Sequence, residues 1–462
     1  MTVILSDLQM LLGSRATTSE IQRQHHSHGE CCHPPALPDI VCFPKSTGEV
    51  SAIMRISSRH AIPVIPFGAG TSVEGNVNAV RGGIAIDLRE MNHINRISVA
   101  DCDATVEAGV TRRQLMKALE KTGLTFFVDP GADATIGGMA STRASGTTAL
   151  RYGTMRENVL GLTVVLADGR VIQTGGRARK SSAGYDLTHL FVGAEGTLGI
   201  LTEITLRLHP LPESVSVAVC SFESVRGAVE TVIEAIQLGA GLARVEFLDD
   251  RQVDAINRFS KLDLPLLPML FFEFHGLNDR EVEERAALVQ ALAAEHGGHG
   301  FEWKSDPAQR EQLWRARHDV YFASRALRPG AEVLTTDVCV PISNLAGCIE
   351  ETRSDLANLG FPATMVGHAG DGNFHVLCMI DPNNPVELSE ARQFSERTVR
   401  RALRMSGTCT GEHGVGSGKM EFLVEEHGAA VDVMRTIKQS LDPGNRMNPG
   451  KVVDFQMPAY QA

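Results

Sequence analysis

The chain has 462 residues, a formal charge of −11, 43% hydrophobic residues and 21% charged residues. That length is too great for one ordinary core and calls for two or three domains. The acidic balance argues against nucleic acid as a partner, and no apolar run approaches the roughly 20 residues of a membrane span. Nine cysteines, with no CxxC spacing, read as reduced thiols rather than as a disulfide framework or an iron–sulfur ligand set. Met1-Thr-Val-Ile-Leu-Ser-Asp-Leu-Gln9 has no basic n-region and carries an early acid, so no signal or transit peptide is expected and the cytoplasm is the expected compartment.

Residues 1–37 read as a polar lead-in. His25-His-Ser-His28 with Cys31-Cys32-His33 lacks the spacing of a zinc module and runs into Pro34, Pro35 and Pro38. Asp39–Phe43 reads as a strand, and Ser46-Thr-Gly-Glu49 as a capping box that opens a helix. Ala61–Pro66 is a buried strand leading into the loop Phe67–Asn76. Gly83–Leu88, Ala104–Ala108 and Gly161–Gly169 are further strands. His209-Pro-Leu-Pro-Glu213 marks a domain boundary. Beyond it come strand Val215–Cys220, helix Val225–Leu238, strands Ala243–Leu248 and Met269–His275, and helix Asp279–His296. That β-α-β-β-α-β order suggests a ferredoxin-like antiparallel cap. Asp306-Pro307 starts a helix over 306–327, with Asp as N-cap and Pro at N1. The section from about 396 to 462 reads as helical, apart from a Gly-rich loop at 407–418 and the turn Asp442–Gly450.

Glycine-rich turns recur between residues 68 and 200. They are Gly68-Ala-Gly-Thr-Ser-Val-Glu-Gly75, Asp129–Gly138, Ser145–Gly153, Arg156–Gly161 and Gly193–Ile200. Glycines let backbone N–H groups converge on a pyrophosphate. The first turn is a poor match to a Rossmann fingerprint, because its third glycine is misplaced and no helix clearly starts there. Several such turns imply backbone wrapped round an extended ligand, and a flavin dinucleotide suits that better than a nicotinamide.

Met365–Val376 is centred on Asp371-Gly372, a two-residue type I′ hairpin signal. A hairpin folded there sets Gly370 opposite Asn373, Ala369 opposite Phe374 and His368 opposite His375. Directly opposed residues have Cβ atoms roughly 4.5–5.5 Å apart, so the two imidazoles can share one divalent metal. A third ligand is then sought elsewhere, and Gly411-Glu412-His413-Gly414 follows downstream. Two histidines and a carboxylate leave coordination positions open for substrate. On helix 306–327, Arg317 and Tyr321 are spaced i,i+4 and share a face, and the guanidinium fork matches a carboxylate.

These motifs, in this order, make the chain resemble the vanillyl-alcohol-oxidase/PCMH-type FAD-binding family. Within it, the chain resembles the D-lactate dehydrogenase (cytochrome-type) and D-2-hydroxyacid dehydrogenase branch, the FAD-linked oxidases, from about Pro38 to Val453. The resemblance implies an α+β protein. A PCMH-type FAD-binding domain is expected over 1–212, including the lead-in. A ferredoxin-like substrate or cap domain is expected over 213–395, and a mainly helical segment, 396–462, completes the active site. FAD is expected on Pro66, Gly68, Ala69, Gly70, Thr71, Ser72, Gly75, Asn76, Pro130, Gly131, Thr135, Gly137, Gly138, Ser145, Gly146, Tyr152, Gly153, Glu195, Gly196, Gly199, Ile200 and Asn448. Members with a histidyl-flavin bond place a His in the pyrophosphate loop; here Thr71-Ser72 stands there, so non-covalent FAD is implied.

The resemblance also implies that His368, His375 and Glu412 hold one divalent metal (zinc, manganese or iron). His413 is then the catalytic base, and Arg317, with Tyr321 beside it, takes the substrate carboxylate. The 2-hydroxyglutarate branch adds a Lys where this chain has Thr335, and an Asn where it has Leu377. A second carboxylate buried without a partner is costly, so a monocarboxylic acid is favoured. The expected reaction is oxidation of a small D-2-hydroxy acid, D-lactate first, with hydride passing from C2 to flavin N5. The acceptor is expected to be a quinone, a cytochrome or an electron-transfer flavoprotein, not NAD. D-2-hydroxyglutarate and glycolate stay open as substrates, as do a homodimer and peripheral contact with an inner membrane. A metal-dependent hydrolase is the alternative of a different class, but it leaves the glycine turns without a purpose. A non-catalytic flavoprotein subunit is a third.

Overall fold

Ile40–Cys42, Val64–Phe67 and Ile84–Asp87 are near-continuous apolar runs, the pattern of parallel strands covered on both faces. They pair in parallel with Ile84–Asp87 in the middle. The computed structural model describes Met1–Phe455, apart from the side chains of Ala316 and His318. The described chain forms two units: Met1–Gly146 with Gly153–Leu211 and the residues from Glu412 onward, and Thr147–Tyr152 with Pro212–Gly411.

In the first unit, Ala16–Thr17 joins the parallel strands as an antiparallel edge, making four. A second, five-stranded antiparallel sheet runs in the order Ile94–Ser98, Asp103–Glu107, Ile200–Arg207, Val159–Val165, Val171–Gly175. One apolar cluster includes Leu8, Ile53, Val106, Phe126, Leu162 and Ile204. The expected polar lead-in is corrected here. Helix Thr2–Leu12 buries Ile4, Leu8 and Leu12, spaced along one helical stripe. His26 Nε2 sits 2.9 Å from Asp87 Oδ2, its ring 4.5 Å from that of Phe67. The C-terminal turn closes on the same sheet. Val64 N donates to Arg446 O at 2.8 Å, and Asn448 N to Val64 O at 2.8 Å. Buried Lys438 donates to Thr197 O, Asp442 Oδ2 and Met447 O at 2.8, 2.6 and 2.9 Å.

The second unit is built on one antiparallel sheet. Its strands are β1 (Ser214–Phe222), β2 (Leu242–Leu248), β3 (Met269–Gly276), β4 (Gly298–Lys304), β5 (Glu332–Thr335), β6 (Val338–Cys339), β7 (Ala363–His368) and β8 (Asn373–Ile380). Their order is β4-β1-β3-β2-β7-β8-β5, with β6 pairing β8. An apolar cluster of Val217, Leu248, Phe271, Val366, Leu377 and Met379 includes Ile256, Trp314 and Val320 from the helices.

Three expectations are corrected in this unit. A helix, Asp250–Ser260, stands between β2 and β3, where the sequence reading passed straight from strand to strand. Asp249 caps it, accepting from Gln252 N at 2.8 Å, and Val253, Ala255 and Ile256 are buried. The expected single helix over 306–327 is two, Pro307–His318 and Val320–Ala326. They meet at Asp319, whose carboxylate accepts from Ser260 Oγ at 2.9 Å. Position 396, drawn as a boundary, falls inside helix Pro385–Arg404, which starts with Asn384 as N-cap and Pro385 at N1.

Candidate active site

The hairpin forms, in a different register. His368 pairs with Asn373, and His375 with Val366. The expected type I′ turn needs positive φ at both central residues, but only Gly372 has it, at 78°. Asp371 N donates to His368 O at 3.0 Å, and Ala369 N is drawn to Val245 O on β2 at 3.0 Å. Ala369 therefore leaves the ladder, and the loop between the strands spans four residues instead of two. A Cβ at Gly372 would stand 2.0 Å from Val340 O. The two imidazoles end up diagonal and on one sheet face, with ring centroids 5.6 Å apart and planes at 81°. Ligand nitrogens of the two rings lie within 4.8 Å of each other.

Each ring is oriented by its Nδ1. His375 Nδ1 lies 3.0 Å from the main-chain carbonyl of Thr336, and His368 Nδ1 lies 2.7 Å from Glu246 Oε1. A carbonyl or carboxylate only accepts, so both rings carry a proton on Nδ1, and the neutral form of each ring has its lone pair on Nε2. That is the tautomer of a metal-ligating histidine, and this donor chemistry fits a divalent ion. Asn373 Nδ2 donates to Asp337 Oδ1 at 2.8 Å, and Asp337 Oδ2 accepts from Gly411 N at 2.9 Å. Glu412 is the next residue in the chain.

Glu246 was missed by sequence reasoning. It is fully buried on β2, paired in register with His368. Its Oε2 accepts from Arg317 Nε at 2.8 Å, with Arg317 Nη2 at 2.5 Å. Burial opposes its charge, but Arg317 and His368 outweigh burial and hold the carboxyl below its ordinary value. An acid set between apolar Val245 and Phe247 in the strand Leu242–Leu248 was the available signal. Arg317 has 15% of its side chain exposed. Tyr321 is 45% exposed and packs edge-on against Phe322, so the two residues do not share the continuous helix face expected of them. Thr335 pairs with Leu377, which is buried in the apolar cluster.

A second polar string lies on the same sheet. His275 Nε2 is 2.7 Å from Glu273 Oε1, so its Nδ1 accepts the hydroxyl of Tyr152, also at 2.7 Å. Arg244 Nη2 stands 3.2 Å from Glu273 and its guanidinium stacks on Trp314. Tyr152, expected to touch FAD, thus has its hydroxyl engaged within the second unit.

In the first unit, several of the residues expected to hold FAD meet one another, while Gly137 and Gly138 lie in helix Ile136–Thr142 and Ile200 opens a strand. Pro66 lies in the strand Val64–Phe67, and Gly68, Ala69, Gly70, Thr71 and Ser72 follow that strand. A Cβ at Gly68 would stand 2.4 Å from Thr135 Oγ1, the cap of helix Ile136–Thr142. Asn448 Nδ2 donates to Asn76 O at 2.9 Å and to Glu195 O at 2.8 Å. Burial pushes the Glu195 carboxyl up to about 6, against hydrogen bonds from Val415 N at 2.7 Å, Asn76 Nδ2 at 2.5 Å and Gly416 N at 2.9 Å. Those bonds fix the backbone just after Glu412 and His413. Glu412 Oε2 accepts from Ser145 Oγ at 2.7 Å, and Glu412 Oε1 is 3.5 Å from His413 Nε2. The Ser72 hydroxyl is buried with no hydrogen-bond partner among the described residues. An orphaned hydroxyl beside glycine-lined backbone fits a ligand rich in phosphate oxygens.

A family model for an FAD binding domain matches residues 38–175, and one for FAD linked oxidases, C-terminal domain, matches 211–452. The chain belongs to the FAD-linked oxidases. A probable mitochondrial D-lactate dehydrogenase of Danio rerio is 51% identical over 437 residues, 94% of this chain and 88% of the relative. A mitochondrial D-lactate dehydrogenase (cytochrome) of Arabidopsis thaliana is 43% identical over 453 residues, 97% of this chain and 80% of the relative. Among solved structures, p-cresol methylhydroxylase with substrate bound matches with a TM-score of 0.82 at 18% identity, over 99% of this chain and 98% of that one. This FAD-linked oxidase therefore has the mixed α+β fold of PCMH-type flavoproteins. The expected cytoplasmic location is overturned, since both relatives are named mitochondrial. It rested on the absence of a leader at Met1, and a leader is a removable segment that leaves no trace in the fold. Among the described residues, no helix is long and apolar enough to cross a membrane.

Proposed function

We propose that this FAD-linked oxidase converts D-lactate to its 2-oxo acid, using non-covalent FAD and one divalent ion, and passes the electrons to a cytochrome-type acceptor. The names of the relatives in Danio rerio and Arabidopsis thaliana support the substrate, and the second supports the acceptor. The observation that carries the reading is the pair His368 and His375, diagonal across one hairpin with both protons on Nδ1. FAD, when bound, supplies the two-electron acceptor for the hydride on C2, and the ion supplies Lewis acidity to the substrate oxygens.

The chain's own residues do the rest. His368, His375 and Glu412 hold the ion. Arg317 binds the carboxylate through the guanidinium edge not given to Glu246. His413 takes the hydroxyl proton as C2 loses its hydride. Glu195 and Asn448 keep the backbone of the first unit in place around FAD. Leu377, buried in an apolar cluster opposite Thr335, supports a monocarboxylic acid over a dicarboxylic one. The strand order β4-β1-β3-β2 supports a ferredoxin-like cap. Anaerobic mixing of the flavin-loaded protein with D-lactate tests the proposal. The oxidised flavin band is expected to bleach with one 2-oxo acid formed per flavin. No bleaching with divalent metal supplied would refute it.

A further inference from the structure

We propose that Glu246 is a positioning residue that serves both halves of the substrate site, fixing the tautomer of His368 with one carboxylate oxygen and aiming Arg317 with the other. This rests on the reading of His368 as a metal ligand and Arg317 as the carboxylate anchor. Backbone register sets the first contact, because Glu246 and His368 are ladder partners on β2 and β7. The second brings in helix Pro307–His318, which carries Arg317. Oε1 faces His368 Nδ1 at 2.7 Å; Oε2 faces Arg317 Nε at 2.8 Å and Nη2 at 2.5 Å.

A buried ion pair alone would need only the arginine, and such pairs often bring little net stability. The second oxygen spent on an imidazole is what points to a role in the site. His375 makes the contrast, since its Nδ1 is held by the Thr336 carbonyl, which no side-chain change removes. Glu246 thus holds by a side chain the ring position that, in His375, a main-chain carbonyl holds at 3.0 Å, with the Asp337 carboxylate 3.8 Å away.

Glu246→Gln keeps the shape and removes one of two acceptors. With its oxygen toward His368, its NH2 confronts the Arg317 donors. Turned round, it donates to His368 Nδ1 and drives the ring proton to Nε2, the wrong tautomer for a ligand. Glu246→Asp keeps the charge and is too short to serve both partners. The test is a zinc titration of the flavin-loaded full chain, freed of metal and read against a chromogenic chelator, with melting temperature and flavin content alongside. Glu246→Gln is expected to bind zinc about 10–100-fold more weakly than wild type, and Glu246→Asp by less. KM for D-lactate should rise by a larger factor than kcat falls. A purely structural carboxylate would lower the melting temperature and leave zinc affinity unchanged. Wild-type zinc affinity in both variants, with His375→Ala abolishing binding, would overturn the inference and spare the metal reading. No stoichiometric zinc binding by wild type would overturn the metal reading and this inference with it.

Discussion

His368 stands across the hairpin from Asn373 and meets His375 on the diagonal, with ring centroids 5.6 Å apart. Diagonal neighbours on one face of an antiparallel pair are within reach of long side chains, so the shifted register keeps the imidazoles together. His375→Ala should lower dye-linked D-lactate oxidation by about 10²–10³-fold, the loss of several kcal/mol of Lewis-acid stabilisation. Flavin content should stay normal and metal content should fall. Normal metal content measured by elemental analysis would count against the assignment.

The hairpin loop depends on Gly372, with φ of 78° and the Val340 carbonyl 2.0 Å from where a Cβ would stand. Gly372→Ala should cost at least about 1–2 kcal/mol from the left-handed backbone alone, with the clash adding to it. Thermal melts should show a drop of several degrees, and zinc affinity should weaken. An unchanged melting temperature would show that the loop relaxes freely.

The hairpin was legible because turn residues and two histidines lie close together in sequence. Its register was not, because Ala369 is held by Val245, far away in the chain. Glu246 escaped notice for the same reason: one acidic residue in a short strand acquires meaning only through Arg317 and His368, which arrive from other elements. The buried stripe Ile4, Leu8 and Leu12 was readable and was obscured by the polar residues after it. The helix Asp250–Ser260 also had its signals, an Asp cap and buried Val253 and Ile256, but lay between two strong strands. The glycine turns were readable as a set, since each needs local backbone freedom; the knot of Asn76, Glu195 and Asn448 joins residues too distant to be paired from sequence.

Arg317→Lys keeps the charge and loses the fork that serves Glu246 and a carboxylate together. At about 1.5–3 kcal/mol for a charge-assisted hydrogen bond, KM for D-lactate should rise roughly 10–100-fold with a smaller fall in kcat. Steady-state kinetics check this, and an unchanged KM would remove Arg317 from the carboxylate site.

Burial pushes the Asp249 carboxyl up to about 7 from an ordinary 3.8, against hydrogen bonds from Gln252 and Met365 N–H groups. Its Oδ2 is buried with no hydrogen-bond partner among the described residues. The folded state therefore holds this proton more tightly than the unfolded state. The stability it contributes is full below the unfolded value and is lost as pH rises through about 7. Asp249→Asn keeps the cap acceptor and has no charge to bury. Its melting temperature should match wild type near the acid end of that window and exceed it above. Parallel melting curves across the whole range would show that Asp249 does not titrate there.

The central claim is that one flavin and one divalent ion act together on D-lactate. Dye-linked oxidation by the flavin-loaded protein, before and after chelation and again after adding divalent metal, tests it most directly, with L-lactate, glycolate and D-2-hydroxyglutarate in parallel. The account predicts that D-lactate is preferred, that chelation abolishes activity while FAD stays bound, and that metal restores it. Full activity in demonstrably metal-free protein, or a strong preference for the dicarboxylate, would contradict it.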